Sequence, residues 1–162
     1  MPVNRAFIWL SLLFLLWMGF DVVIWSPIEP QWIVPLMKAH AVVYNFIGFA
    51  FVNFAYTFIS RSRDAAYYFF AGVPGIALIV ITTTNQIVAG FNPAFWGNAI
   101  VSGPWYLPFA TINGAIPVSY AVALLVRNMR YEKSAFERKR LSLFLTGTVI
   151  GLVTGFPSFV LL

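Results

Sequence analysis

Cysteine is missing from this sequence altogether, histidine occurs once, and Asp and Glu together number five in 162 residues. Without cysteine there is no disulfide scaffold and no zinc–thiolate site. A single histidine cannot supply both axial ligands of a bis-histidine haem within one chain, nor a tetrahedral zinc site. Charged residues of both signs make up only 9% of the chain, where an average soluble domain carries about 25%. A soluble domain of this size would have to cover a large surface with those few side chains, so water is excluded as the main solvent. The residues that are present agree: 60% are hydrophobic, 19% are aromatic and the mean hydropathy is +0.83, which also excludes disorder. The expected class is an all-α integral membrane protein.

A membrane-spanning helix needs about 20 mostly apolar residues. Cutting the chain at its charge clusters and its Pro/Gly/Asn-rich segments leaves five such stretches, at about 6–25, 35–59, 66–88, 105–126 and 141–162, in one transmembrane domain covering 1–162. The first follows a lone Arg5 and has the outline of a signal peptide, but Trp17, Phe20, Asp21 and Trp25 stand where small cleavage-site residues belong, which makes it a retained anchor. The connections alternate in charge. Arg5, then Arg61 and Arg63, then Arg127, Arg130, Lys133, Arg138, Lys139 and Arg140 lie on one side; on the other, 26–34 carries only Glu29 and 89–104 carries no charge. Because Lys and Arg near helix ends stay cytoplasmic, the bundle is expected to have its N-terminus in the cytoplasm and its C-terminus outside. The +5 net charge then reflects orientation and contact of the 127–140 loop with anionic lipid headgroups, since nothing else in the chain resembles a nucleic-acid module. The connections at 26–32 and 91–97 mix turn formers with Trp and Phe, as suits segments lying at headgroup level.

Ionisable groups inside a membrane are functional candidates by default. Asp21, Lys38 and His40 fall at one depth near the outer side, and an ion pair of Asp21 or Glu29 with Lys38 is expected; its structural reading is an interfacial pair, its functional one a ligand or proton site. His40 reads as a hydrogen-bonded interfacial residue, and Lys38 lies too near a helix end for Schiff-base chemistry. Asn45 and Asn53, eight residues apart on one helix face, are expected to join helices by hydrogen bonds. Asn85, Trp96, Trp105, Tyr106 and Asn113 are candidates for an outer-half ligand pocket, against the plainer reading of the amides as helix–helix glue. Gly147, Gly151 and Gly155 repeat every four residues and form a smooth strip for a close helix partner, internal or from another chain. No Ser/His/Asp set, paired intramembrane carboxylate, phosphate loop or metal-ligand cluster is present, so the chain is not expected to be an enzyme and no metal or cofactor is implied; bound lipid or pigment is the open alternative.

The order of several short segments resembles the N-terminal seven-helix membrane region of bacterial sensor histidine kinases and related signalling proteins. The likeness runs from about Leu12 to Leu162: Leu36-Met37-Lys38-Ala39-His40 opening a helix that ends Tyr56-Thr57-Phe58-Ile59-Ser60-Arg61; Val73-Pro74-Gly75 running into Thr84-Asn85-Gln86; Gly103-Pro104-Trp105-Tyr106; and Glu137-Arg138-Lys139-Arg140 leading into Leu145-Thr146-Gly147-Thr148. By this resemblance the five helices correspond to the second to sixth of the seven, in the bacterial inner membrane, and the chain is a non-catalytic sensory, signal-transducing module. The family's phosphoacceptor and nucleotide-binding regions have no counterpart within these 162 residues. The competing expectation is therefore an accessory subunit of a larger membrane complex, packing through its fifth helix and aromatic surfaces against other chains, its own copies or lipid. A small transporter or channel is the weakest, lacking an inverted repeat.

Overall fold

The computed structural model describes residues 2–94, 97–131 and 134–160, with the backbone alone for Ala94, Gly97 and 149–160. The chain is mostly helical, at 79%. In order come α1 (Pro2–Ile24), α2 (Pro30–Phe58), α3 (Ala65–Thr83), β1 (Val88–Ala94), β2 (Gly97–Ser102), α4 (Tyr106–Ala110), a π-helical turn (Thr111–Ala115), α5 (Ile116–Tyr131) and α6 (Ala135–Val160). Among the described residues, four helical stretches are long and apolar enough to cross a membrane: α1, α2, α3 and the composite Tyr106–Tyr131. The fifth expected span falls on α6, of which 149–160 is described by its backbone alone.

Local chemistry sets the helix limits. Pro30 opens α2 at its first turn, where a missing N–H costs nothing, so the helix begins before the expected Pro35 and carries that proline inside it. At its far end the Arg61 N–H bonds the Tyr56 carbonyl (2.9 Å) and the Ser60 N–H bonds that of Thr57 (3.3 Å), with Ser60 left-handed at φ 52. This is a Schellman closure with serine in the place glycine usually takes. Asp64 then caps α3, accepting from the Tyr67 N–H at 3.1 Å. The third span stops at Thr83, short of the expected 88. Thr82, Thr83 and Thr84 turn their hydroxyls back onto carbonyls of the preceding turn, and Thr84 leaves the helix in an extended conformation.

Beyond α3 the structure departs from an all-helical bundle. The 89–104 segment, expected as an interfacial loop, pairs with itself as antiparallel β1 and β2, Phe91 opposite Ile100 and Asn92 opposite Ala99, with a bulge between Val88 and Gly90. Two strands alone are marginal, and these are anchored. The Gly103 N–H reaches the Ile87 carbonyl (2.9 Å), the Trp105 N–H reaches that of Gln86 (2.9 Å), and the Asn98 amide donates to the Ile24 carbonyl at the end of α1 (3.0 Å).

Helix α2 is the axis of the fold, packed by α1, α3, α5, the π turn and β1. Its buried residues run through two cores. One, at the basic end, joins Phe51, Phe54 and Tyr56 to Tyr67, Leu125 and Leu141; the other, under the hairpin, joins Met37 and Ala41 to Ile24, Ile81, Val88 and Phe109. By contrast α1 is almost wholly exposed outside its α2 face, with Trp9, Leu15 and Val22 each about two-thirds exposed. An apolar surface of that extent is stable only against lipid or protein.

The π turn has a specific cause. Pro117 brings no N–H to the Asn113 carbonyl, and the ladder widens so that the Ile116 N–H bonds the Thr111 carbonyl, five residues back. Gly48 of α2 presses directly on the exposed carbonyl: a Cβ there would lie 2.0 Å from the Asn113 oxygen and 2.6 Å from Pro117 Cγ. One turn earlier, the Tyr44 hydroxyl lies against Gly114 and donates to the Ala110 carbonyl at 3.3 Å.

Candidate functional site

Two polar clusters sit at opposite ends of α2. The first lies under the hairpin. Trp17 and Asp21, four apart, share one face of α1; His40 and Tyr44, four apart, share one face of α2. Because the two helices are consecutive and antiparallel, the four meet. His40 stacks on Trp17 with ring centroids 5.6 Å apart and planes 22° apart, and its Nε2 stands 3.1 Å from Asp21 Oδ1. His40 is 8% exposed, and its N–H is not aimed straight at the carboxylate. Met37, His40, Ala41 and Tyr44 of α2, Val88 and Ile100 of the hairpin, and Tyr106, Phe109 and Ala110 line a cavity of about 10 Å³, which is room for roughly one water molecule.

The second cluster lies at the basic end. Asp64 Oδ1 accepts from the Tyr56 hydroxyl at 2.6 Å, and its Oδ2 accepts from Arg61 at 2.5 Å. The Tyr56 hydroxyl also meets that of Tyr120 on α5 at 2.8 Å, and the Tyr67 hydroxyl donates to Asn53 at 2.9 Å. Arg61 lies over the Tyr56 ring and Arg63 over that of Tyr67. Three helices, α2, α3 and α5, are thus tied by one network. The Tyr56 hydroxyl, the Tyr67 N–H and the Arg61 guanidinium hold the Asp64 carboxyl at about 2, below its ordinary 3.8. A depressed carboxylate stabilises the fold fully above about 3.8 and loses that contribution as the pH falls toward 2. Thermal midpoints measured against pH should therefore drop between pH 4 and 2 in the native chain, while Asp64→Asn removes this part of the drop.

The residues expected to form an outer-half pocket are dispersed. Tyr106 lines the cavity and lies close enough to Asp21 to feel its charge. Asn85 is exposed beyond the end of α3, Trp105 is 60% exposed, and Trp96 lies outside the described residues. Asn113 is buried but turned to the Phe109 carbonyl (3.1 Å) within its own helix, leaving its Oδ1 without a hydrogen-bond partner. The acidic groups also pair differently from expectation. Asp21 takes His40, Glu29 accepts from Gln31 at 2.7 Å, and among the described residues no carboxylate lies within ion-pairing distance of Lys38. The reason is angular: Lys38 and His40 are two residues apart and point about 200° apart around α2, and it is the His40 face that meets α1.

The helix-joining residues sit as follows. Asn45, fully buried, donates to the Pro74 carbonyl of α3 at 2.7 Å, and Asn53 accepts from Tyr67, so both amides bind α3. Gly147 faces open space, with no atom within 4 Å of where a Cβ would stand; Gly151 and Gly155 lie where the backbone alone is described. Arg127, Arg130, Arg138, Lys139 and Arg140 are exposed at the ends of α5 and α6, Arg140 bonded to Glu137 at 2.8 Å, and Lys133 lies outside the described residues. Among the described residues no group of three or more His, Asp or Glu is placed to hold a metal ion. No protein-family model, curated protein or solved structure matches the chain.

Proposed function

We propose that this chain is a non-catalytic sensory module of a bacterial inner membrane, with the hairpin end outside and the basic end in the cytoplasm. The observation that carries the reading is the arrangement along α2. One continuous helix holds a small, buried polar-aromatic site at its hairpin end and a three-helix hydrogen-bond network at its basic end, and presses on a π turn between them. π turns inside helices fall frequently at functional sites, and small helix shifts are one of the ways in which a bundle passes a displacement. The charge asymmetry of the connections supports the orientation. Labels placed at the basic end should shift when the hairpin-end site is altered. A second reading, an accessory subunit of a larger membrane complex, draws on the bare faces of α1 and of α6 at Gly147. Co-migration of other chains in stable ratio on mild-detergent purification would favour it.

A further inference from the structure

The site under the hairpin is too small for an organic ligand as it stands, so the species that it can take without opening is one it has room for. We infer that the proton is its ligand: Asp21 and His40 form an outward-facing proton-binding site whose occupancy clamps α1 to α2. The inference rests on the sensory reading of the same site. Nε2 of the imidazole stands 3.1 Å from the Asp21 oxygen without an aligned hydrogen bond; a neutral ring leaves that contact weak, and a second proton on the ring turns it into an ion pair. The imidazole is nine-tenths buried, while Asp21 keeps 30% of its side chain exposed near the end of α1, which provides the route for the proton.

Protonation changes both contacts that His40 makes with α1. The imidazolium attracts the Asp21 carboxylate and also the face of the Trp17 indole against which it is stacked. Both partners sit on one face of α1, one turn apart, so both gains pull the same helix onto α2. Imidazole is the side chain whose charge ordinarily changes between about pH 5 and 8. The surroundings of the site add few competing charges. Alongside Asp21, α1 presents Trp17; α2 presents Tyr44 one turn along and Lys38 on another face; the fourth span presents Tyr106; among the described residues the hairpin and α3 bring Val88, Ile100, Ala77, Ile81 and the amide of Asn98 to this end and no charged group. Glu29, in the connection above, is bonded to Gln31.

The sequence makes the test clean. His40 is its single histidine, so the full chain made with ¹⁵N-histidine, purified on a histidine-free tag and placed in phosphatidylcholine/phosphatidylglycerol nanodiscs, gives one imidazole spectrum. The absence of cysteine lets spin labels be placed uniquely at Trp25→Cys and Trp32→Cys, both exposed, on either side of the α1–α2 connection. The expected result is a one-proton titration of the imidazole, and a label-to-label distance distribution that narrows as the imidazole takes up its proton. That narrowing should be lost in both His40→Gln and Asp21→Asn. An imidazole spectrum flat from pH 8.5 to 4.5 overturns the inference, as does a label pair that ignores the imidazole titration or follows pH equally in the variants. The native titration needs no variant, so misfolding of either one cannot mask the outcome. If the imidazole is silent while the basic end still answers changes at this site, only the proton assignment falls. If the imidazole and the Trp25/Trp32 labels respond but the basic end does not, the proton site stands and the sensory reading fails.

Discussion

Gly48→Val is expected to abolish the folded protein. The Cβ of any residue at 48 lands 2.0 Å from the Asn113 carbonyl oxygen and 2.6 Å from Pro117 Cγ. These are a main-chain atom and a ring atom, neither of which can rotate aside, so α2 and the π turn must separate. Even Gly48→Ala sets a gain of about 1 kcal/mol in helix propensity against an overpacking cost of about 3 kcal/mol. Valine adds two branches to the same collision. Size-exclusion profiles in detergent should show Gly48→Ala with a lowered thermal midpoint and Gly48→Val as aggregate. The control is Gly75→Ala, where no atom lies within 4 Å and the substitution should be neutral or stabilising by up to about 1 kcal/mol. Matching behaviour of Gly48→Ala and Gly75→Ala would mean that the close approach does not exist.

The second large effect is at the basic end. Tyr56 is 2% exposed and packs between Tyr67 and Tyr120, with centroids 5.2 and 6.4 Å away. Replacing a buried aromatic by alanine costs about 3–5 kcal/mol in a soluble core. Here the low end applies, about 3 kcal/mol, because the disordered alternative of a membrane chain also keeps its apolar side chains out of water and only the lost packing counts in full. Tyr56→Phe keeps the ring and removes one hydroxyl between Asp64 and Tyr120, for a loss of about 1 kcal/mol. Reversible unfolding in mixed detergent should rank native, Phe, Ala in that order. A Phe variant as damaged as the Ala variant would place the stability in the hydrogen bonds and not in packing.

The helices were legible from long apolar runs and charged breaks, and those signals do not depend on tertiary detail. Where the prediction drifted, short-range chemistry intervened. Three consecutive threonines ended α3 at Thr83, and Ser134, whose hydroxyl meets the Glu137 N–H at the start of α6, opened that helix ahead of the expected Leu141. The hairpin was hidden because its strands are short, one holds Asn-Pro, and their anchors are main-chain bonds to Gln86 and Ile87 that no side-chain pattern advertises. For the site, Asp21, Lys38 and His40 were expected at one depth, but depth does not select a partner, and it is His40 that meets Asp21. The pairs Trp17/Asp21 and His40/Tyr44, each spaced by four, carried the angular information and were readable in principle. Asp64 was not readable: its role depends on the Ser60 closure turning the chain back so that Arg61 and Tyr56 both reach one carboxylate.

Coupling between the two ends of α2 is the centre of this account, and an electron-paramagnetic-resonance distance measurement at the basic end addresses it directly. Spin labels at Ser62→Cys and Arg127→Cys, both exposed in a chain without native cysteine, report the spacing of α2–α3 from α5. Asp21→Asn on α1 and Tyr44→Phe on α2, both remote in sequence from either label, should displace that distribution by about 1–2 Å, the scale of helix shifts in allosteric transitions. Distributions that coincide with the native one in both variants, while the hairpin-end contacts have demonstrably changed, would contradict it.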